Sequence, residues 1–199
     1  MKKFFPFLAI IFFSACQSPT PFTAEERDFI YLAAADVPFR ILQITERDDS
    51  VLLRTVSTDM KNYENDSLFM HFIRRLESTL QASGGVGIAA SQVGIRRNVF
   101  LFTRLDLPNE PVAVAINPRI LGTSENKINF ENDGCLSIEN IRGISKRFEW
   151  IDVEYFNPQG EKITERLTTG RNRQEQFTGV IFQHEYDHTK GVLFIDRLD

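Results

Sequence analysis

The sequence has few residues that could form disulfides or bind a transition metal. Its 199 residues include two cysteines, Cys16 and Cys135, and three histidines. Two cysteines cannot build the disulfide framework of a small secreted domain, and a chain of this length can bury a core without one. Any site that requires cysteine or histidine therefore has few candidates.

A strong excess of one charge is also missing. The chain carries 23 basic and 27 acidic residues, a formal net charge of -4, so nothing indicates a nucleic-acid partner. A hydrophobic fraction of 42% and a charged fraction of 25% are typical of a globular domain. The composition excludes disordered and collagen-like chains, and it indicates one globular domain.

The apolar run at the N-terminus is too short to span a membrane. Residues 4–13 are all apolar, follow a short basic start and precede Ser14, Ala15 and Cys16. Ten helical residues at ~1.5 Å each cross only about half of a ~30 Å hydrocarbon layer. A basic start, an apolar run and small residues after it are typical of a secretory signal.

The position of Cys16 makes this segment resemble a bacterial lipoprotein signal, in which the cysteine becomes the lipidated first residue. Phe13 departs from that pattern, which prefers an aliphatic residue. We therefore expect residues 1–15 to be a signal peptide, Cys16 to be lipidated, and the protein to lie in the cell envelope. The alternatives are a plain signal peptide or uncleaved anchor, and a cytoplasmic protein if the segment is not a functional signal.

Residues 16–35 are predicted to form a tether and a short helix. The run after Cys16 is rich in proline, serine and threonine, which favours a flexible linker. Thr23 and Glu26 have the spacing of a capping box and predict a helix to about residue 35.

The remaining patterns predict both helices and strands. Helical spacing covers 67–82 and 173–189, and His71 lies off the first apolar stripe, so we interpret it as a surface residue without a role. Strands are predicted at 98–103, 112–116, 128–131, 151–156 and 162–167. Because helices and strands do not alternate regularly, the sequence favours an α+β fold.

The clearest chemical motif lies on the last predicted helix. His184 and His188 are four residues apart, so both imidazoles lie on one helix face and can reach one ion. Glu185 lies between them, where a general base for activated water is expected. A chance H-E-x-x-H on a surface helix is the alternative.

The third ligand must come from upstream. The eleven residues after His188 contain no histidine, glutamate or cysteine. If Cys16 belongs to the signal, Cys135 is the one thiol left. A Cys-His-His set with an open fourth position is typical of a catalytic metal site.

A glycine-rich segment, 85–94, lies between a predicted helix and a predicted strand. It lacks the lysine and hydroxyl positions of a phosphate-binding loop. It is better suited to pair its backbone with an extended peptide and to present the Gln92 amide.

Together the three segments resemble the peptide deformylases in content, order and spacing. Residues 85–92, 133–137 and 184–188 are similar to the family signatures G-x-G-[LI]-A-A-x-Q, E-G-C-L-S and H-E-x-D-H, and the resemblance extends over about 36–199, the predicted catalytic domain. It implies mixed or antiparallel sheets around a central C-terminal helix that bears the histidines. Asp133 stands where the family has glutamate, and Ser91 where proline or threonine is more usual.

The resemblance also implies a role for each site residue. One divalent ion would be bound by Cys135, His184 and His188. In the family this ion is usually Fe2+, and Zn2+, Ni2+ or Co2+ can replace it. Glu185 would be the general acid and base, and Gln92 with the Leu136 N–H would form the oxyanion site. The residues expected to bind the substrate are Val86, Gly87, Arg142, Phe177, Val180 and Ile181.

We therefore expect a monomeric, metal-dependent hydrolase that removes formyl groups from N-formylmethionyl peptides. An exported hydrolase of the same fold acting on other amides is one alternative. A lipoprotein that uses the fold only for binding is another, but it would not need Glu185.

Overall fold

The computed structural model describes residues 21–198, which form four α-helices and seven β-strands. The predicted signal segment, residues 1–15, and Cys16 lie outside these residues. The helices are α1 (Ala24–Ile30), α2 (Arg47–Leu53), α3 (Ser67–Ser83) and α4 (Thr178–Thr189). The strands are β1 (Gly87–Ala89), β2 (Val99–Thr103), β3 (Val112–Thr123), β4 (Lys127–Cys135), β5 (Ile138–Phe148), β6 (Trp150–Phe156) and β7 (Lys162–Thr168).

The strands form two antiparallel sheets. The larger sheet has the order β1-β2-β3-β6-β7, so β1 lies at its edge, and β4 pairs with β5 in the second sheet. Among residues 21–198 no helix has the length and apolar character that crossing a membrane requires. The predicted α+β class is confirmed.

Strand β2 explains how the core is arranged around the larger sheet. Val99 and Leu101 belong to the core cluster that contains the apolar side chains of α3. Phe100 and Phe102 belong to the cluster that contains Phe182 of α4. Successive side chains point to opposite faces of a strand, so α3 and α4 cover opposite faces of the sheet.

The sequence predicted some elements well and others poorly. Helix α3 and strands β2, β6 and β7 lie where the patterns indicated, whereas α2, β1 and β5 were missed and β3 and β4 are longer than predicted. The last helix begins at Thr178 rather than 173, because a 3-10 turn at Arg173–Glu175 and a positive φ at Gln176 precede it.

Two expectations for the N-terminal part were wrong. Helix α1 ends at Ile30, not near residue 35, and Phe22, which was assigned to the tether, is buried against α3.

His71 is not a free surface residue, because its Nε2–H donates to the Ala33 carbonyl at 2.9 Å and its ring contacts Tyr31.

Candidate metal centre

Strand β4 and helix α4 bring the three predicted metal ligands together. His184 and His188 lie one turn apart on α4, and Cys135 is the last residue of β4. The candidate ligand atoms of these residues all lie within 4.8 Å of one another, and Cys135 Sγ is 3.3 Å from His188 Nε2. One thiolate and two imidazoles suit zinc, iron, cobalt or nickel and leave a fourth position open.

The surroundings of the two imidazoles differ. His184 Nδ1 lies 3.2 Å from Asp133 Oδ1, an arrangement that fixes the ring and leaves Nε2 for an ion. Burial acts to lower the pKa of His184, but Asp133 and Cys135 outweigh it and the pKa is raised. Burial, followed by the charge of His184, lowers the pKa of His188. An ion at His184 must displace a proton, so metal affinity depends on pH.

A buried ionic network supports Asp133 from behind. The Arg147 guanidinium is 2% exposed and donates to Asp133 at 2.9 Å and to Asp187 at 2.8 Å. Ser145 Oγ donates to the same Asp133 oxygen at 2.6 Å, and Arg197 pairs with Asp187. Although burial acts to raise the pKa of Asp133, His184, Arg147 and Ser145 hold it well below its usual range, so the carboxylate stays ionised.

The sequence analysis missed this network. Asp187 lies inside the H-E-x-D-H motif, and its place in that motif was the available signal. No sequence pattern indicated a role for Arg147. The chain has many arginines, and the strand that carries this one, β5, was not predicted. Asp133 was noted only as a departure from the family signature, whereas the structure places it against His184.

Glu185 lies beside the three ligands with its carboxylate out of water. The residue is 4% exposed, and burial raises the pKa of Glu185 to about 7. Its buried Oε2 has no hydrogen-bond partner among residues 21–198. Burying an oxygen without a hydrogen-bond partner costs folding free energy, unless a ligand or a reacting group forms a hydrogen bond with it. A carboxylate titrating near neutrality is suited to both accept and donate a proton.

Gly87 makes room for this carboxylate. A Cβ atom at Gly87 would lie 2.5 Å from Glu185 Oε1. The sequence analysis assigned Gly87 to the substrate, and the structure adds a steric requirement for glycine at this position.

Gln92 lies in the 3-10 turn that follows β1, and its amide is oriented by the backbone. Its Oε1 accepts a hydrogen bond from the Ala89 N–H at 2.9 Å. Its Nε2 therefore faces the ligands and donates to Ser137 Oγ at 3.2 Å, with Cys135 Sγ at 3.5 Å. Leu136 is fixed in the turn between β4 and β5, because its carbonyl accepts from Gln43 Nε2 at 3.0 Å.

The candidate centre opens into a cavity of about 570 Å³. The cavity is lined by most of the predicted site residues: Val86, Gly87, Gln92, Cys135, Leu136, Arg142, Phe177, Val180, Ile181, His184 and Glu185. His188 lies behind this surface and is 1% exposed. Phe130, which the sequence analysis did not select, also lines the cavity and packs on Phe177 with ring centroids 5.1 Å apart.

The two departures from the family signature leave the ligands in place. Ser91 is buried, and its Oγ lies 3.4 Å from the His188 carbonyl.

Arg142 is exposed at the cavity rim and donates to the Asn132 carbonyl at 3.2 Å, crossing over Gly134. Its guanidinium is therefore held near the entrance.

Sequence comparisons relate this chain to peptide deformylases. A family model described as polypeptide deformylase matches residues 41–199. A peptide deformylase of Thermotoga neapolitana is 39% identical over 133 residues, which cover 67% of this chain and 74% of the relative. One from Caulobacter sp. is 33% identical over 160 residues, covering 80% and 87%.

Solved structures agree with these relatives. A Met-Ala-Ser-bound class I type b peptide deformylase from Acinetobacter baumannii matches with a TM-score of 0.71 and 29% identity, covering 82% of this chain and 99% of the other. The peptide deformylase from Thermotoga maritima matches with a TM-score of 0.69 and 31% identity, covering 81% and 98%.

Proposed function

This chain belongs to the polypeptide deformylase family and removes the formyl group from N-formylmethionyl peptides, and we propose which of its residues carry out the reaction. Cys135, His184 and His188 hold the metal ion, and Glu185 is the general acid and base. The observation that carries this proposal is the orphaned, buried carboxylate of Glu185 beside three converging ligands on the wall of one cavity.

A bound divalent ion supplies a Lewis acid that makes water acidic enough to give hydroxide near neutral pH. Glu185 accepts the proton of the water that attacks the formyl carbon. The same carboxyl then delivers that proton to the amine nitrogen as the C–N bond breaks, which leaves formate and a free N-terminus. Its raised pKa of about 7 suits both transfers.

Gln92 and Leu136 stabilise the oxygen that becomes negative during the attack. The Gln92 Nε2 is held toward the ligands by the contact of Oε1 with the Ala89 N–H. The Leu136 N–H belongs to the turn that directly follows Cys135. A preorganised donor of this kind typically contributes ~3–4 kcal/mol to the transition state.

The substrate peptide binds along β1 with its methionine side chain in the cavity. Strand β1 is at the edge of its sheet, so the backbone of Gly87 is placed to pair with an extended peptide, whereas the Val86 carbonyl already accepts a hydrogen bond from the Thr103 N–H. Phe177, Val180 and Ile181 of the α4 region supply the apolar wall for the unbranched thioether. Arg142 assists at the rim. The Met-Ala-Ser complex of the Acinetobacter baumannii relative supports this assignment.

Three finer proposals accompany this one. The native ion is Fe2+, although the donor set also suits Zn2+, Ni2+ and Co2+. The protein acts as a monomer. It is anchored in the cell envelope through a lipid on Cys16, and labelled palmitate that enters the chain but not Cys16→Ser would support the anchor.

Hydrolysis of formyl-Met-Ala-Ser by the full chain, with metal analysis of the same sample, tests the roles at the centre. We expect Glu185→Gln to keep the metal and to lose ~10²-fold or more in kcat. Glu149→Gln, which changes an exposed glutamate outside the cavity, is the matched control and should retain both. An active Glu185→Gln enzyme would contradict the proposal.

A further inference from the structure

Residues 21–40 precede the part that the family model matches, yet they pack firmly on α3. Phe22, Ile30 and Phe39 are 4%, 0% and 5% exposed and belong to the same core cluster as the apolar face of α3. The N-terminal segment is therefore part of the folded domain.

Arg75 of α3 fixes the backbone of this segment. The buried guanidinium donates to the carbonyls of Ile30 at 2.8 Å, Val37 at 3.0 Å and Phe29 at 3.4 Å. It also stacks on the Phe39 ring, 3.8 Å from its centroid. These bonds hold the end of α1 and the chain after it in one conformation.

The same segment leaves a group of large apolar side chains in water. Leu32 is 80% exposed, Tyr31 50%, Val37 44% and Phe29 41%. We call these four residues the Leu32 face, a name for exposed side chains within one nine-residue segment. Because the segment is already ordered, a partner that covers the face does not have to fix its backbone, which lowers the cost of binding.

We propose that the Leu32 face contacts the lipid bilayer, an inference that rests on the proposed anchoring at Cys16. Cys16 and Pro21 are five residues apart, and an extended chain spans at most ~3.6 Å per residue. An anchored chain therefore holds Pro21 within about 18 Å of the membrane surface, and α1 begins three residues later. Such tethering gives even a weak contact a high effective concentration.

The chemistry of the face favours uncharged lipid. Tyrosine, phenylalanine and leucine are suited to the boundary between headgroups and acyl chains. Helix α1 itself carries three acidic residues and one arginine, and Arg27 is paired with Asp28. Since no basic patch is present on α1, anionic lipid should add nothing. The contact therefore depends on insertion of apolar side chains.

Contact through this face leaves the catalytic cavity open. His71, which touches Tyr31, lies in the N-terminal half of α3, and Ser83 at the end of α3 lines the cavity. Twelve residues of helix separate the two, a distance of ~18 Å, and Arg75, which binds the Val37 carbonyl, is eight residues from Ser83, a distance of ~12 Å. A formylated peptide can reach the metal centre while the face is on the membrane.

The test uses the full chain reconstituted with phosphatidylcholine vesicles. Trp150 is the one tryptophan, so Trp150→Phe provides a silent background. Leu32→Trp, with Tyr31→Trp as a second reporter, places a probe on the face. Leu121→Trp is the matched control, because Leu121 is 57% exposed on β3.

We expect the emission at position 32 to shift to the blue and to lose at least ~half of its intensity with brominated acyl chains. The emission at position 121 should not change, and adding anionic lipid or salt should not alter either result. Deformylase activity is measured on each sample, so loss of the catalytic function is distinguished from loss of the membrane contact.

Four outcomes overturn the proposal. The chain binds vesicles but neither reporter is quenched, or all positions are quenched equally. The chain does not bind vesicles at all, in which case the anchor is absent although the enzyme stays active. The emission of the reporters shifts to the blue without vesicles, and the shift grows with the fraction of the chain that is dimeric. This would mean that a second copy covers the face.

Discussion

At Gly87 a single missing methyl group controls the position of the general base. The backbone of β1 passes so close to α4 that a Cβ there would lie 2.5 Å from Glu185 Oε1 and 2.9 Å from its Cγ. The backbone of β1 is held by its pairing with β2, in which Gly87 lies opposite Phe102, and Glu185 is buried. The carboxylate end must move.

Gly87→Ala should therefore lower kcat/KM while the metal stays bound. We expect a loss of at least ~10²-fold, because general acid–base catalysis of this size depends on position. Steady-state hydrolysis of formyl-Met-Ala-Ser and metal content of the same sample measure it. Gly122→Ala, whose Cβ would meet the Asp152 carboxylate at 3.3 Å, is the control. Equal losses in both variants would contradict the steric argument.

Asp133 joins the metal centre to the buried ionic network. One carboxylate oxygen faces His184 Nδ1, and the other accepts hydrogen bonds from Ser145 and Arg147. The aspartate is one methylene shorter than the glutamate of the family signature, yet it reaches all three partners. The departure noted in the sequence therefore preserves the contact with His184.

Asp133→Asn should weaken metal binding by ~10–100-fold, the usual effect of losing a partner that orients a ligand. Its cost in the free energy of unfolding should stay below the ~3–5 kcal/mol of a broken buried pair, because Arg147 keeps Asp187. Metal titration and urea unfolding measure the two effects. Asp152→Asn, in the exposed pair with Arg166, should leave metal affinity unchanged. Unaltered affinity in Asp133→Asn would show that Asp133 does not orient His184.

On the scale of elements, the start of α4 is fixed by a charged cluster. Asp106 accepts hydrogen bonds from the Arg104 guanidinium at 2.7 and 2.9 Å and from the Thr178 hydroxyl at 2.9 Å. Thr178 is the first residue of α4. The hydrogen bonds from Arg104, followed by that from Thr178, lower the pKa of Asp106 despite partial burial.

This cluster predicts a loss of stability in acid. The folded chain binds a proton at Asp106 less readily than the unfolded chain, so the stabilisation is complete above the ordinary aspartate pKa of ~3.9. It is lost as pH falls below that value and through the lowered pKa of the folded chain. Urea midpoints from about pH 6 to about pH 3 should fall less steeply in Asp106→Asn than in the unchanged protein. Identical slopes would contradict this assignment.

The elements that the sequence failed to predict share a physical cause. Strand β5 buries the polar side chains of Ser145 and Arg147, whereas two of its three isoleucines, Ile141 and Ile144, are exposed. The alternation that identifies a strand is therefore lost. Strand β1 consists of glycine, isoleucine and alanine and exists through its pairing with β2, which local propensity does not encode. Helix α3, with an apolar stripe over seventeen residues, was readily predicted.

For the whole molecule, an ion bound at the candidate centre would join the second sheet to α4. Cys135 ends β4, whereas both histidines lie on the helix that covers the larger sheet. An ion that binds all three stabilises the folded chain by mass action, about 2.7 kcal/mol at a free concentration of ~100 Kd. For a chain of this size that is roughly 5–10 °C in Tm.

Removing the metal with a chelator should lower Tm by this amount, and adding Fe2+, Ni2+ or Zn2+ should restore it. His188→Gln should abolish the response. His71→Gln, at the histidine outside the centre, should keep it. Scanning calorimetry under anaerobic conditions provides the measurement, and a chelator-independent Tm in the unchanged protein would contradict binding at this centre.

The sequence by itself predicted the three residues that the structure brings together as a candidate metal centre. With two cysteines and three histidines in the chain, and two histidines one helical turn apart, Cys135 was the thiol left for an ion. The three ordered segments were specific enough to indicate the family, and the comparisons confirmed it. The spacing of ligands along one helix is local, so it can be read from the chain.

Only the tertiary structure decided what surrounds those ligands. The contact of Asp133 with His184 spans 51 positions, and that of Arg147 with Asp187 spans 40. The fit of Gly87 against Glu185 and the packing of residues 21–40 on α3 are equally remote in sequence. Burial and ion pairing between distant segments arise when the sheets and helices assemble, and no local pattern in the sequence records them.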